Sequence, residues 1–341
     1  METKSALATA GACIIASLSS CSFDPRGSDH QEKTRRRSCM ISVILCTHNP
    51  RGDYLARTLA SLEEQKLPLD RWELTIVDNK SDERLDRKLD ISWHPNGRIV
   101  RENDLGLTPA RLRGIRESIG DVLVFVDDDN VLAKNYLIQV RNSAESHPFL
   151  GAWSGSVKPE FEIEPPEWTK RYWGNLVIRE VPRDKWSKVY WDGDATPLGA
   201  GLCVRRQVAL EYLRLHDEGI RTFRMDRAGK SLVSGGDNDL AACAIDIGLS
   251  CGVLSSLKLT HLIPRERLTE SYLLELVEGV AYSSIILRSF REATKNGQPE
   301  RGPAKKAADI LRRARMTPRE RRFHSAVVRG ESRARRELET A

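Results

Sequence analysis

Three apolar runs of this chain end in side chains that could hold a hard cation or hydrogen-bond a polar ligand. DVLVFV is followed by Asp127, Asp128, Asp129 and Asn130. WELTIV is followed by Asp78, Asn79, Ser81 and Asp82, and ISVILC by Thr47, His48 and Asn49. Carboxylates gathered at one edge repel one another unless a cation lies among them, and oxygen ligands of this kind suit Mg2+ or Mn2+. Such an ion would bridge to a phosphate-bearing ligand. No Gly-x-Gly-x-x-Gly follows the first run and no GxxxxGK[ST] occurs, so phosphates would be held by metal and side chains instead of a glycine-rich cradle.

These residues share an edge only if the runs are neighbouring strands. From Ile41 the chain alternates ISVILC, a helical stretch over residues 52–65, WELTIVD, a charged stretch, GRIVREN, a helix through LTPARLRGIRESI, and DVLVFVD. That alternation predicts βαβ units in an α/β fold. The near-continuous Val, Ile and Leu of the strands predict a parallel sheet covered on both faces. Ligands of such sheets sit beyond the carboxyl ends of the strands, where the polar residues above fall. The competing reading of DDDN is a charged turn capping a helix VLAKNYLIQV; it loses ground because the other strand ends carry acids and amides too.

Composition bounds the rest. With 341 residues, 40% hydrophobic, 38 Gly and Pro together and no apolar run of membrane-spanning length, disordered, collagen-like and integral-membrane classes are excluded for the body. The net charge of +6 is uneven: from Arg301 onward there are 13 Lys/Arg against 5 Asp/Glu. The basic residues sit in one terminal segment instead of interleaving with aromatics, so nucleic acid is not expected as a partner. A solvated helical tail is one reading and peripheral contact with an anionic membrane the other. Seven cysteines without a C-x-x-C pair predict neither a zinc site nor a disulfide framework. Cys46, Cys203, Cys243 and Cys251 read as buried thiols. The stretch ALATAGACIIASL ahead of Leu18-Ser19-Ser20-Cys21 has the shape of a lipoprotein leader, but Glu2 dilutes its basic start. Residues 1–39 are therefore set apart as a disordered leader or an over-long start.

ISVILCTHNPRGDYLARTLASLEEQ, TIVDNKSDE and ENDLGLTPARLRGIRESIGDVLVFVDDDN, in this order and spacing, resemble the nucleotide-sugar glycosyltransferases of the GT-A fold, glycosyltransferase family 2, from residue 40 to about residue 288. The resemblance implies a Rossmann-like open, mostly parallel sheet flanked by helices, with a C-terminal helical extension. It divides the chain into a GT-A domain over residues 40–263, the extension over 264–300 and a basic tail over 301–341. It also implies roles. Asp78 would meet the nucleobase or ribose, with Thr47 and Asn49 in the same pocket. Arg111 would neutralise the diphosphate or brace the nucleotide. Asp127 would face ribose and metal, Asp129 would bind Mn2+ or Mg2+ directly, and Asp128 between them would point elsewhere.

Beyond residue 150 the pattern changes. Trp153, Trp168, Trp173, Trp186 and Trp191 crowd into residues 151–206 and suit either core packing or stacking on an acceptor. PLGAGLCVRR reads as a strand after a glycine turn, which the resemblance sets near the donor sugar. In SGGDNDLAACAIDIG the resemblance makes Asp237 the base for the acceptor hydroxyl, with Asp239 in reserve; the alternative is that both cap the helix. The sequence departs from the family pattern at Gly236, where an acidic residue is usual. His261, in LKLTHLIP, matches a metal-completing histidine of some GT-A enzymes or is a hydrogen-bonded structural residue. The implied activity is metal-dependent, inverting transfer from a nucleotide sugar, a UDP-sugar first among them, to a glycan or lipid-linked acceptor in polysaccharide or cell-envelope synthesis. The expected place is the cytoplasm, with the inner face of the membrane as the alternative if the basic C-terminal tail makes peripheral membrane contact. A non-catalytic GT-A-like binding module is the second reading, favoured by Gly236 alone.

Overall fold

The computed structural model describes residues 39–223, 225, 232–291 and 315–340; the leader up to residue 38 and the first part of the basic tail lie outside the described residues. Strands β1 (Ile41–Thr47), β2 (Trp72–Asn79), β3 (Gly97–Glu102) and β4 (Val122–Asp127) are joined through α1 (Gly52–Glu63) and α2 (Leu107–Glu117). β1 pairs in parallel with β2 and β4, and β3 extends the sheet beyond β2. In register, Thr47 stands opposite Asp78 and Cys46 opposite Asp127, so the three polar strand ends share one edge.

The strands are apolar on both faces because helices cover both. Ile41, Val43 and Leu45 pack with Leu55 and Leu62 of α1, and with Tyr136, Leu137 and Val140 of α3 (Tyr136–Ser146). Ile44 and Cys46 face the other way, onto Ala110 and Ile115 of α2. Val208 and Tyr212 of α4 (Arg206–Asp217) and Leu240 and Ala244 of α5 (Gly236–Asp246) complete that second face. This period of two lets one short run serve two cores.

Beyond β4 the sheet is mixed. The remaining strands are β5 (Asn130–Leu132), β6 (Leu150–Phe161), β7 (Lys185–Ser187), β8 (Leu202–Arg205) and β9 (Ser250–Ile263). The order is β3-β2-β1-β4-β8-β6-β9-β5, with β7 also on β9. β8 is antiparallel to β4 and β6, whereas β6 and β9 run parallel. The helix-cap reading of DDDN is corrected here. Asn130–Leu132 is a strand antiparallel to β9, and α3 starts only at Tyr136, because pairing with Leu259 to His261 outweighs local helix propensity. His261, expected after an apolar strand, lies within β9 opposite Asn130.

The C-terminal extension is α6 (Glu270–Ser289), against which α7 (Pro318–Thr340) packs. Phe323 of α7 stacks on Tyr172 with ring centroids 4.0 Å apart. The basic residues counted in the tail are in part spent within the molecule. Arg319 and Arg322 pair with Glu270, Arg329 pairs with Glu278, and the Arg319 guanidinium lies 4.4 Å from the Trp168 ring centroid. Among the described residues, no helix is long and apolar enough to cross a membrane, and Cys46, Cys203, Cys243 and Cys251 are buried free thiols.

α7 approaches α6 so closely at Gly330 that a methyl group there would overlap the Glu278 carbonyl oxygen. Backbone cannot yield as a side-chain tip can, so Gly330→Ala is expected to cost about 1–3 kcal/mol. The check is thermal unfolding of the full chain, and an unchanged melting temperature would mean that the helices do not meet this closely.

Candidate active site

The strand ends open into a cleft of about 360 Å³. Its walls come from the end of β1 (Cys46, Thr47, His48), the first turns of α2 (Leu107, Ala110, Arg111), the end of β4 (Asp127, Asp128, Asp129), Gly199 and Ala200 before β8, the start of α5 (Gly236, Asp237), and His261 with Arg267. The walls from β1, α2, β4 and α5 are ends of elements whose apolar bodies are buried in the two faces of the sheet, so these polar ends have fixed positions.

Asp127 and Asp128 are partly buried and Asp129 is buried. Burial, and after it the charge of Asp129, raises the Asp127 carboxyl above its ordinary range. Asp128, expected to point elsewhere, lines the cleft and accepts a hydrogen bond from the Thr47 hydroxyl. The reason is that the chain turns from β4 straight into β5, without the helix that would have carried this side chain outward. Burial and the neighbouring Asp129 push its carboxyl up to about 7.

Asp129 Oδ1 accepts from the Asn130 side-chain amide at 2.8 Å. Its Oδ2 is 3.3 Å from His261 Nε2 and 3.0 Å from Arg267 Nη2. His261 Nδ1 is 3.0 Å from the Leu176 carbonyl oxygen, to which it donates, so Nε2 presents a lone pair and accepts from Arg267 Nη1 at 3.0 Å. Asp129 and His261 thus converge as two acceptors on one cation, the Arg267 guanidinium. Burial opposes that charge, and Asp129, Tyr272, Asp128 and Asp127 together outweigh burial and hold the Arg267 pKa above its usual value.

Arg111 is 4% exposed and lines the cleft, and among the described residues no carboxylate lies within ion-pair distance of it. Burial opposes its charge, but Asp237 and Asp127 raise its pKa from further off. The departure at Gly236 has a steric counterpart. A Cβ there would lie 2.9 Å from Thr108 Oγ1 and 3.4 Å from Arg111 Nη1, so this is where an acidic side chain would crowd against the guanidinium.

Asp237 stands in the first turn of α5, inside the cleft. A methyl at Gly199 would overlap its carboxylate, so that glycine makes room for it. Asp239, one turn face away, is 2% exposed and held by Arg221 at 2.8 Å and Arg291 at 2.7 Å. A carboxylate shared by two buried guanidinium groups is a structural brace. The structure therefore gives different surroundings to the two acids that the resemblance left as candidate and reserve.

Thr47 lines the cleft, whereas Asn49 and Asp78 do not. Asn49 clasps the end of β2 to that of β1. Its backbone N–H donates to Ser81 Oγ at 2.9 Å, and its side-chain oxygen accepts from the Asp82 N–H at 2.9 Å. Asp78 is 2% exposed and accepts from the Ser81 N–H at 2.9 Å and from Arg101 Nη1 at 2.8 Å. Burial raises its pKa, and these donors outweigh burial to leave it below the ordinary value. None of the five clustered tryptophans lines the cleft: Trp153 is core, while Trp168 and Trp173 pack with Phe323 and its neighbours.

Arg267 and Gly199 were not singled out by sequence reasoning. Arg267 stands two residues from Arg265 in RERL, and nothing in the local pattern distinguishes the two. The glycine turn PLGAG marked the right loop without marking which glycine faces Asp237.

A family model described as Glycosyl transferase family 2 matches residues 42–227. Among curated proteins, the glucosyl-dolichyl phosphate glucuronosyltransferase of Haloferax volcanii is 28% identical over 139 residues, covering 39% of this chain and 44% of that protein. The match thus spans less than half of the relative's length. Among solved structures, S. aureus TarS 1-349 in complex with UDP-GlcNAc is 16% identical, with 74% of this chain and 71% of that chain covered at a TM-score of 0.48. The same protein in complex with UDP is also 16% identical, with 84% and 81% covered at a TM-score of 0.47. With the family model spanning more than half of its residues, the chain belongs to glycosyl transferase family 2, and its mostly parallel sheet flanked by helices is the GT-A fold of that family.

Proposed function

We propose that the chain moves a sugar from a nucleoside-diphosphate sugar, a UDP-sugar in the first instance, to a hydroxyl of a glycan or lipid-linked acceptor with inversion at the anomeric carbon. The observation that carries this reading is Arg111, a buried guanidinium facing the cleft without a carboxylate at ion-pair distance. A diphosphate supplies the anion such a group calls for. Asp237, in the same cleft, takes the proton of the acceptor hydroxyl as that oxygen attacks the anomeric carbon from the face opposite the departing diphosphate. The bond to the acceptor oxygen forms as the bond to the phosphate oxygen breaks.

Asp129 and His261 are a carboxylate and an imidazole lone pair already aimed at one cation, so this donor set fits Mn2+ or Mg2+, with Asp127 close by. Among the described residues, no three His, Cys, Asp or Glu side chains gather as a protein-only metal cage, so phosphate oxygens and water would complete the coordination. When bound, the ion supplies positive charge to the leaving diphosphate. Thr47 and Asp128 shape the nucleotide side of the cleft, and the Asn49 and Asp78 clasp keeps that rim rigid.

Thermal shift of the full chain with a panel of nucleotides and nucleotide sugars, with and without Mn2+, tests the reading. One nucleotide sugar is expected to stabilise the protein more with Mn2+ than without it, by RT ln(1 + [L]/Kd). No shift with any donor, in protein that unfolds cooperatively, would sink it.

A further inference from the structure

Arg267 comes from the short 3-10 turn Arg265–Leu268 between β9 and α6. Its backbone N–H is tied to the Pro264 carbonyl at 3.1 Å, so the backbone is anchored and the side chain alone reaches into the cleft. There it bridges Asp129 Oδ2 and His261 Nε2, each 3.0 Å from one guanidinium nitrogen. A guanidinium offers donors only, so the two acceptors, 3.3 Å apart, share it as they would share a metal ion. Two cations cannot hold the same pair of atoms at contact distance, and repulsion between them is strong in a partly buried wall.

Resting on the metal reading above, we infer that Arg267 is a resident counter-cation that competes with the divalent ion for Asp129 and His261. The donor-free cleft then binds free metal weakly by construction: the ion must displace an ion pair already made. Arg267 is a positioning residue of the metal site.

The test is Mn2+ titration of the full chain, with free Mn2+ read by electron paramagnetic resonance and no nucleotide present. Arg267→Gln is expected to bind Mn2+ about tenfold tighter than wild type, the scale of one lost charge-assisted contact. Arg267→Lys, which keeps the charge, should stay near wild type. Arg267→Met gives the same direction as Gln and serves if the Gln variant does not fold. Adding Asp129→Asn to the Gln variant should abolish the gain, because the ion gained sits on that carboxylate. Equal or weaker Mn2+ affinity in cooperatively unfolding Arg267→Gln and Arg267→Met overturns the competition alone. Absence of Mn2+ binding in every variant overturns the competition, whereas the metal reading itself fails only if Mn2+ adds nothing to the thermal shift given by a nucleotide sugar.

Discussion

Asp237→Asn is expected to slow sugar transfer by about 10²–10⁴-fold while leaving donor affinity near wild type. The amide keeps the size of the side chain and its seat over Gly199 but cannot accept the acceptor proton at neutral pH. The base is needed only as the acceptor oxygen attacks, so the loss falls on kcat and not on donor binding. Stability should change little, because Asp237 belongs to no buried ion pair among the described residues, unlike Asp239 with Arg221 and Arg291. Steady-state transfer and donor calorimetry on one preparation separate the two quantities. Near wild-type transfer by the Asn variant, with the correct acceptor, would remove Asp237 from the mechanism.

Arg111→Met should fall on donor affinity, the quantity that Asp237→Asn leaves near wild type. Methionine fills much of the same volume without charge, so the variant gives up charge-assisted hydrogen bonds to the diphosphate, about 1.5–3 kcal/mol or roughly 10–150-fold in donor affinity. Burial opposes the Arg111 charge, but Asp237 and Asp127 hold its pKa above its ordinary value, so that charge is favoured in the fold and its removal is expected to lower the melting temperature modestly as well. Donor calorimetry together with thermal unfolding reads both. If Arg111→Met lost stability and kept donor affinity, Arg111 would be a core brace and the diphosphate would be held elsewhere.

The first four strands and the helices between them were legible in the chain because each is a local pattern. ISVILC, WELTIVD, GRIVREN and DVLVFVD coincide closely with β1 to β4, and the helix expected over residues 52–65 runs over Gly52–Glu63. Legibility fell where partners are distant. VLAKNYLIQV reads as one helix by composition, yet its first residues form β5, because a strand far along the chain offers them backbone partners. The tail reads as solvated charge, yet α7 buries Phe323, Ala326, Gly330 and Ala334 and pairs its arginines with acids of α6.

What the sequence determined by itself is the set of strand ends, hence the acidic edge and the edge of the sheet at which the cleft opens, since apolar runs and the residues that end them are contiguous in the chain. The tertiary structure decided which polar groups work there. It tied Asn49 and Asp78 into a clasp, left Asp237 in the cleft while bracing Asp239 with two arginines, and set Arg267 on Asp129 and His261. Those choices depend on which side chain reaches a carboxylate first across the folded interior, and local spacing along the chain does not encode such distances.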